Sequence, residues 1–315
     1  MVDQSRRDRV GLGLIGLGPC WEQFYREPIL RMQSRLTVKL VYDPVEARAK
    51  SVASEFAADI AGSLRQMLSR HSLQGLIVLD PGWCRTGIVD LIARSGKPTL
   101  LARPTLRQAA ILTTIVPTNS AHPDHLTYIT KIDDCLMPEL GLRFTPSSCR
   151  LRELIATKLG PAKKIDVECN LEADIDETAA VIDWCCHILG QFPIRQTRTA
   201  DETTKLAQIQ LDFPPHPTTG VDSASPSRTA TLKHVSADSP LRIHIECERG
   251  RATLTGRTHI VWNASTISAE ETLTDERAEI EILIDQFCRR ALGGLNPIGR
   301  LSEYARAMDI ARSIE

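Results

Sequence analysis

Two side chains in the middle of the chain are spaced for proton chemistry. Asp183 and His187 stand four residues apart in a stretch that reads as a helix over 176–189. At that spacing two side chains share one helix face. A carboxylate beside an imidazole can orient the ring and raise its pKa, which suits an acid/base pair for alcohol oxidation. By spacing alone the pair can equally be an ordinary helix contact or a satisfied core histidine. Cys185-Cys186-His187 invites a metal reading, but adjacent helical residues point roughly 100° apart and the three cannot face one ion. Buried thiols are the simpler account, and no metal is expected.

A second constellation opens the chain: Val10-Gly-Leu-Gly-Leu-Ile-Gly-Leu-Gly18, followed by Pro19-Cys20-Trp21. An apolar run meeting a glycine turn and then a helix start is how a dinucleotide-binding βαβ unit begins. Gly11, Gly13 and Gly16 satisfy G-x-G-x-x-G literally, but the residues before them are too polar for a buried strand. The better register takes Val10 to Ile15 as the strand, Gly16 for the tight turn and Gly18 for close approach to a diphosphate. Pro19 then falls on the first helical position, where its missing N–H costs nothing. Trp21 stands where the fingerprint wants a small residue; without a ligand, the same pattern is simply a tight strand–helix turn. Asp43, about 25 residues after Gly18, ends the next strand and is placed to accept from ribose hydroxyls. Its charge would repel a 2′-phosphate, so NAD is expected over NADP, with Arg48 leaving NADP open. Asp43 can also cap the following helix. Asp80 and Pro81 end a third strand at the edge where such sheets take ligands.

The elements that must hold these residues follow a strand–helix rhythm. Strands are expected at 36–42, 75–79, 96–102 and 135–137, with helices at 21–33, 45–58, 63–70, 86–95, 105–116 and 124–134 between them. Gly75-Leu-Ile-Val-Leu79 is wholly apolar, as in a sheet covered on both faces. Such alternation gives a parallel sheet with right-handed crossovers. Thr145-Pro146 starts a helix with a cap and a first-turn proline. Beyond Gly160 the period becomes two, with Leu241, Ile243, Ile245 and Cys247 as the clearest example, and strands are expected at 165–171, 205–213, 229–235, 241–247, 252–255 and 259–262. Helices at 275–292 and 301–314 close the chain. The expectation is a Rossmann-type, doubly wound α/β domain over 1–137 and an α+β domain with a large open, mainly antiparallel sheet over 138–315, the last helix free to pack back on the first.

Composition narrows the function. At 315 residues the chain suits two domains. Lys plus Arg is 38 against 39 Asp plus Glu, a net charge of −1, so no charge excess draws it to nucleic acid or an anionic membrane. No apolar run reaches spanning length. Nine cysteines without any C-x-x-C point to reduced thiols, hence to a cytoplasmic protein.

A parallel nucleotide-binding domain followed by an open antiparallel sheet resembles the Gfo/Idh/MocA family (glucose–fructose oxidoreductase, inositol dehydrogenase and relatives). The resemblance covers most of the chain. It is carried by Gly16-Leu-Gly18, Asp43-Pro44, Asp80-Pro81, Gly96-Lys97 leading to Ala102-Arg-Pro104, Arg143-Phe-Thr-Pro146 with Arg150-Leu-Arg-Glu-Leu154, and Asp183-Trp-Cys-Cys-His187. It implies an NAD(P)-dependent oxidoreductase acting on a sugar, cyclitol or related polyol and assembling as a homodimer or homotetramer through the open sheet. In that frame Gly16, Gly18, Pro19, Trp21, Asp43, Asp80 and Pro81 hold the cofactor, with Tyr42 and Trp83 packing around it. His187 is the base, Asp183 its orienting group, and Glu139 a further polar candidate. Three departures stand out: the family's E-K-P is Ala102-Arg103-Pro104, its D-x-G-x-H has Cys185 for glycine, and Trp21 is bulky. The stretch from Pro104 to Phe144 is also long, with an insertion near 117–123. Arg103 can clamp a hydroxyl, phosphate or carboxylate but cannot relay protons. The lost lysine motivates a second reading, a catalytically inactive nucleotide-binding sensor on the same fold.

Overall fold

The computed structural model describes residues 9–80, 86–114, 123–171, 174–200, 207–215, 228–273, 278–294 and 299–314. The chain divides into two compact units, 1–140 with 277–305, and 141–276 with 306–315.

The first unit is built on a six-stranded parallel sheet of β1 (Val10–Ile15), β2 (Leu36–Tyr42), β3 (Asp59–Ile60), β4 (Gly75–Val78), β5 (Thr99–Leu101) and β6 (Leu136–Pro138), in the order β3-β2-β1-β4-β5-β6. Every residue of β1, β4 and β5 is buried, which accounts for the continuous apolar sequence of β1 and β4. Gly11 and Gly13 lie within β1. Each is close-packed rather than ligand-facing: an added Cβ on Gly11 would meet the Ser72 carbonyl at 2.8 Å, and one on Gly13 a Leu76 methyl at 2.9 Å. Helices α1 (Arg26–Arg31), α2 (Glu46–Phe56), α3 (Leu64–Ser69), α4 (Thr86–Arg94), α5 (Arg103–Thr114) and α6 (Pro123–Cys135) connect the strands. A wide π turn over Trp21–Tyr25 leads into α1, with the Arg26 amide donating to the Trp21 carbonyl five residues back. Pro28 has no N–H to continue the regular ladder, and the helix widens just ahead of it.

Helix α9 (Glu279–Ala291) returns to this unit for reasons of packing and charge. Gly75 leaves room for the Phe287 ring, since an added Cβ would lie 2.8 Å from its edge. Arg35 pairs with the buried Asp285 at 3.0 Å, and the Arg290 guanidinium donates to the Asp134 carbonyl at 2.8 Å. The Ser302 amide and hydroxyl, at the start of α10 (Leu301–Ile314), both donate to Asp133.

The second unit carries an eight-stranded sheet in the order β14-β13-β12-β11-β7-β10-β9-β8. Its strands are β7 (Ala162–Cys169), β8 (Arg195–Ala200), β9 (Ala207–Phe213), β10 (Arg228–His234), β11 (Arg242–Cys247), β12 (Gly250–Thr255), β13 (His259–Ala264) and β14 (Ile267–Thr272). All pairings are antiparallel except β10 with β7. Register aligns Leu211, Ala230, Ile165, Ile245, Ala252 and Trp262 in one buried row. Helices α7 (Pro146–Leu154) and α8 (Ile175–Leu189) pack on this unit's strands. The Trp184 indole N–H donates to Ser148 Oγ at 2.9 Å and ties the two helices together. Thr145 caps α7, its hydroxyl accepting from the Ser148 amide at 3.2 Å. The opposite row reads Gln210, Thr231, Asp166, His244, Thr253, Val261 and Glu270, with Lys164 paired to Asp166 at 2.8 Å. Strict alternation puts one polar residue outward for each apolar residue inward.

Among the described residues no helix is long and apolar enough to cross a membrane.

Candidate functional site

The first candidate region is the turn after β1. Gly16 has φ +79°, a conformation that only glycine adopts without strain. Its amide donates to the Tyr42 carbonyl at 3.0 Å, continuing the β1–β2 ladder by one bond. The next amide, on Leu17, donates to Asp43 Oδ2 at 2.6 Å, and Asp43 Oδ1 accepts from the Val45 amide at 2.7 Å. Asp43 is 8% exposed. Its carboxylate thus braces the glycine turn and forms an Asx-turn into α2. The bracing role supplements the expected ribose contact, since each oxygen keeps a lone pair beyond the amide it accepts from.

Asp80 stands over the same turn. Leu79 N–H donates to the Ile15 carbonyl at 2.9 Å, which brings the residue after β4 level with the end of β1. An added Cβ on Gly16 would lie 3.0 Å from the Asp80 backbone, and one on Gly18 only 1.5 Å from Asp80 Oδ2. A side chain at 18 would have to displace the Asp80 carboxylate. Pro81 and Trp83 lie outside the described residues. Pro19 is exposed at the helix start. Trp21 was expected beside a cofactor, but its indole is 0% exposed and turned inward, edge-to-face on Phe56 at 5.8 Å. The buried ring offers no face to a ligand, and its N–H has no hydrogen-bond partner among the described residues.

Glu139 joins several parts of this region. It accepts from the Tyr25 hydroxyl at 2.7 Å and from the Arg103 amide at 2.8 Å. The second bond caps the N-terminus of α5, as carboxylates do. Burial, then the Glu139 charge and hydrogen bond, hold the Tyr25 hydroxyl well above its usual pKa. The Cys20 thiol is pushed up to about 12, by burial first and then by the charges of Glu139 and Asp80. The Arg103 side chain is exposed.

The second region lies on α8 and departs from expectation. Asp183 is 2% exposed, and both of its oxygens accept from Arg143, Nε at 2.8 Å and Nη2 at 2.5 Å. The fork makes Asp183 the anion of a buried ion pair with Arg143. His187 also moves opposite to expectation: burial, then the Arg143 and Arg152 charges, push its pKa down to about 3. It is a neutral imidazole at physiological pH, and its buried Nε2 has no hydrogen-bond partner among the described residues. Cys185 and Cys186 are both buried, and burial raises both thiols, Cys186 to about 12.

Arg143 is the residue spacing rules passed over. Its signal was a guanidinium between Leu142 and Phe144, because a cation buried among apolar residues needs hydrogen-bond acceptors to meet it.

No family model and no curated protein sequence matches the chain. Solved structures do. A Desulfitobacterium hafniense protein provisionally named an NADPH-dependent oxidoreductase superposes with a TM-score of 0.70 at 15% identity, over 98% of this chain and 94% of that one. UDP-N-acetylglucosamine 3-dehydrogenase from Acidithiobacillus ferrooxidans gives 0.68 at 16%, over 97% and 96%. A Gfo/Idh/MocA family oxidoreductase from Vibrio cholerae gives 0.68 at 11%, over 96% of each chain. The chain has the fold of the Gfo/Idh/MocA oxidoreductases.

Proposed function

We propose that this protein is a nicotinamide-dependent oxidoreductase that moves a hydride between the cofactor and a hydroxyl-bearing carbon of a sugar, cyclitol or related polyol. The observation that carries this reading is the turn after β1, with Gly16 at positive φ and the Leu17 amide fixed by the acid that ends β2. That backbone fits a dinucleotide, and the fold is shared with proteins named as oxidoreductases and a sugar-nucleotide dehydrogenase. The nicotinamide would supply the redox chemistry when bound. Gly16 and Gly18 would lie under the diphosphate, and Asp43 would take the adenosine ribose, its negative charge favouring NAD over NADP. Arg103 would donate to a hydroxyl, carboxylate or phosphate of the substrate.

A catalytically silent nucleotide sensor is the second reading, favoured by two observations. Arg103 cannot shuttle a proton, and Asp183 is locked onto Arg143. Calorimetry with NADH and NADPH, followed by a panel of sugars and polyols monitored at the reduced-cofactor absorbance, separates the two. Turnover of any panel member by the wild type, or by Arg103→Lys, establishes the oxidoreductase. Dinucleotide binding without turnover in either protein selects the sensor.

A further inference from the structure

We propose that Glu139 is a positioning residue of the candidate site: with Tyr25 it couples the helix after the glycine turn to the first residue of α5, so that an occupied turn fixes where Arg103 stands. The inference rests on the dinucleotide reading above and adds to it a link between the cofactor end and the substrate end of the first unit.

Position comes first. Three amides carry the ladder of the parallel sheet past its strand ends: Leu79 donates to the Ile15 carbonyl at 2.9 Å, Ala102 to the Val78 carbonyl at 2.8 Å and Glu139 to the Leu101 carbonyl at 2.9 Å. They bring the residues after β4, β5 and β6 into line with the end of β1, at the carboxyl edge where such sheets take ligands. Arg103 starts α5 at this edge with its side chain exposed. The Thr105 amide and hydroxyl both donate to the Ala102 carbonyl, at 2.8 and 2.7 Å, and fix the backbone on either side of Arg103.

The bonds to Glu139 meet at a single atom. Its Oε2 accepts from the Tyr25 hydroxyl at 2.7 Å and from the Arg103 amide at 2.8 Å. A carboxylate oxygen has two lone-pair sites, and a charged acceptor makes the stronger kind of hydrogen bond. Moving one donor therefore displaces the atom that holds the other. Tyr25 is 0% exposed and closes the π turn that begins at Trp21, while Glu22, Gln23 and Phe24 between them are exposed. Such wide turns recur at functional sites. The Trp21 amide in turn donates to the Gly18 carbonyl at 3.0 Å. One chain of contacts thus runs from Gly18 through Trp21, Tyr25 and Glu139 to Arg103, all inside residues 1–140 of the first unit. A ligand that stills the turn also stills the start of α5.

The test follows amide exchange at Arg103 by NMR, with and without NADH, in wild type, Tyr25→Phe, Glu139→Ala and Glu139→Gln. Each protein is checked for fold by thermal melting and for NADH binding by calorimetry. Tyr25→Phe removes one hydroxyl and leaves the other contacts of Glu139 in place. NADH is expected to slow exchange at Arg103 about five-fold or more in wild type, and by less than about two-fold in Tyr25→Phe and Glu139→Ala. Glu139→Gln keeps an acceptor oxygen and should restore most of the protection, a rescue that a residue serving only to pack would not show. If Tyr25→Phe does not fold, the two Glu139 variants make the same comparison. Absence of protection in wild type, or equal protection in wild type and Tyr25→Phe, when both bind NADH, overturns the coupling and leaves the dinucleotide reading intact. Absence of NADH binding by every folded protein overturns that reading, and the coupling with it.

Discussion

Asp43 and Asp183 are both acids buried at positions where chemistry was expected, yet they are held in different ways. Asp43 lies at the turn of the first unit and is held by two backbone amides, one per oxygen. Asp183 lies on α8 of the second unit and is held by a guanidinium fork that takes both oxygens at once. Amide donors leave the carboxylate its charge and spare lone pairs, so bracing and ligand binding are compatible. The fork pairs the acid's charge with a buried cation, and the Arg143 and Arg152 charges act on the neighbouring imidazole. The acid of the first unit is thus held by backbone, and that of the second by a buried cation.

The sharpest way to break this comparison is Asp183→Asn. Leaving the Arg143 cation buried without its partner should cost about 3–5 kcal/mol in urea unfolding. A loss below about 1 kcal/mol would show that Arg143 has another anion and that Asp183 is available for chemistry after all.

His187 gives the next largest effect. Its folded pKa, about 3, lies below the ordinary 6.5, so between those values the unfolded chain binds the extra proton. Stability should therefore fall as pH drops through 6.5 towards 3, by on the order of 3 kcal/mol at about pH 4. His187→Gln should flatten that part of the profile. Parallel wild-type and variant curves would mean that the imidazole is protonated as readily in the fold as outside it.

Asp43→Ala orphans the Leu17 and Val45 amides and should cost about 2 kcal/mol, with Asp43→Asn milder because its oxygen still accepts one bond. If calorimetry showed NADH binding unchanged in the alanine variant, the ribose role would be lost and only the bracing role would stand.

The smallest effect sharpens the account of the glycine turn. Gly18→Ala should destabilise wild type by about 1–2 kcal/mol, because the new methyl displaces the Asp80 carboxylate. In an Asp80→Ala background the same change should cost less, a coupling of about 1 kcal/mol by thermal melting. Simple additivity would mean that the two residues do not share that space.

Sequence patterns are read most easily where burial is one-sided or complete. The continuous apolar runs of β1 and β4 and the alternation of β11 made those strands legible, because each pattern reports how many faces are covered. The strands β8 and β14 were not foreseen. They are the two edges of the large sheet, and Arg195-Gln-Thr-Arg-Thr-Ala200 and Ile267-Ser-Ala-Glu-Glu-Thr272 are polar because an edge faces water. The return of α9 to the first unit was also hidden, since the notch at Gly75 that receives Phe287 links residues 212 positions apart.

By itself, the sequence determined the order of elements, the glycine turn with Asp43 behind it, and the change from a parallel to a mainly antiparallel sheet. These follow from local periodicity and from backbone preferences that neighbouring residues set. Only the tertiary structure decided which partner each charge would take: Asp183 on Arg143, Glu139 under Arg103, Asp80 over Gly18. Pairing in a low-dielectric interior depends on which groups meet across the fold, and spacing along the chain carries no record of that meeting.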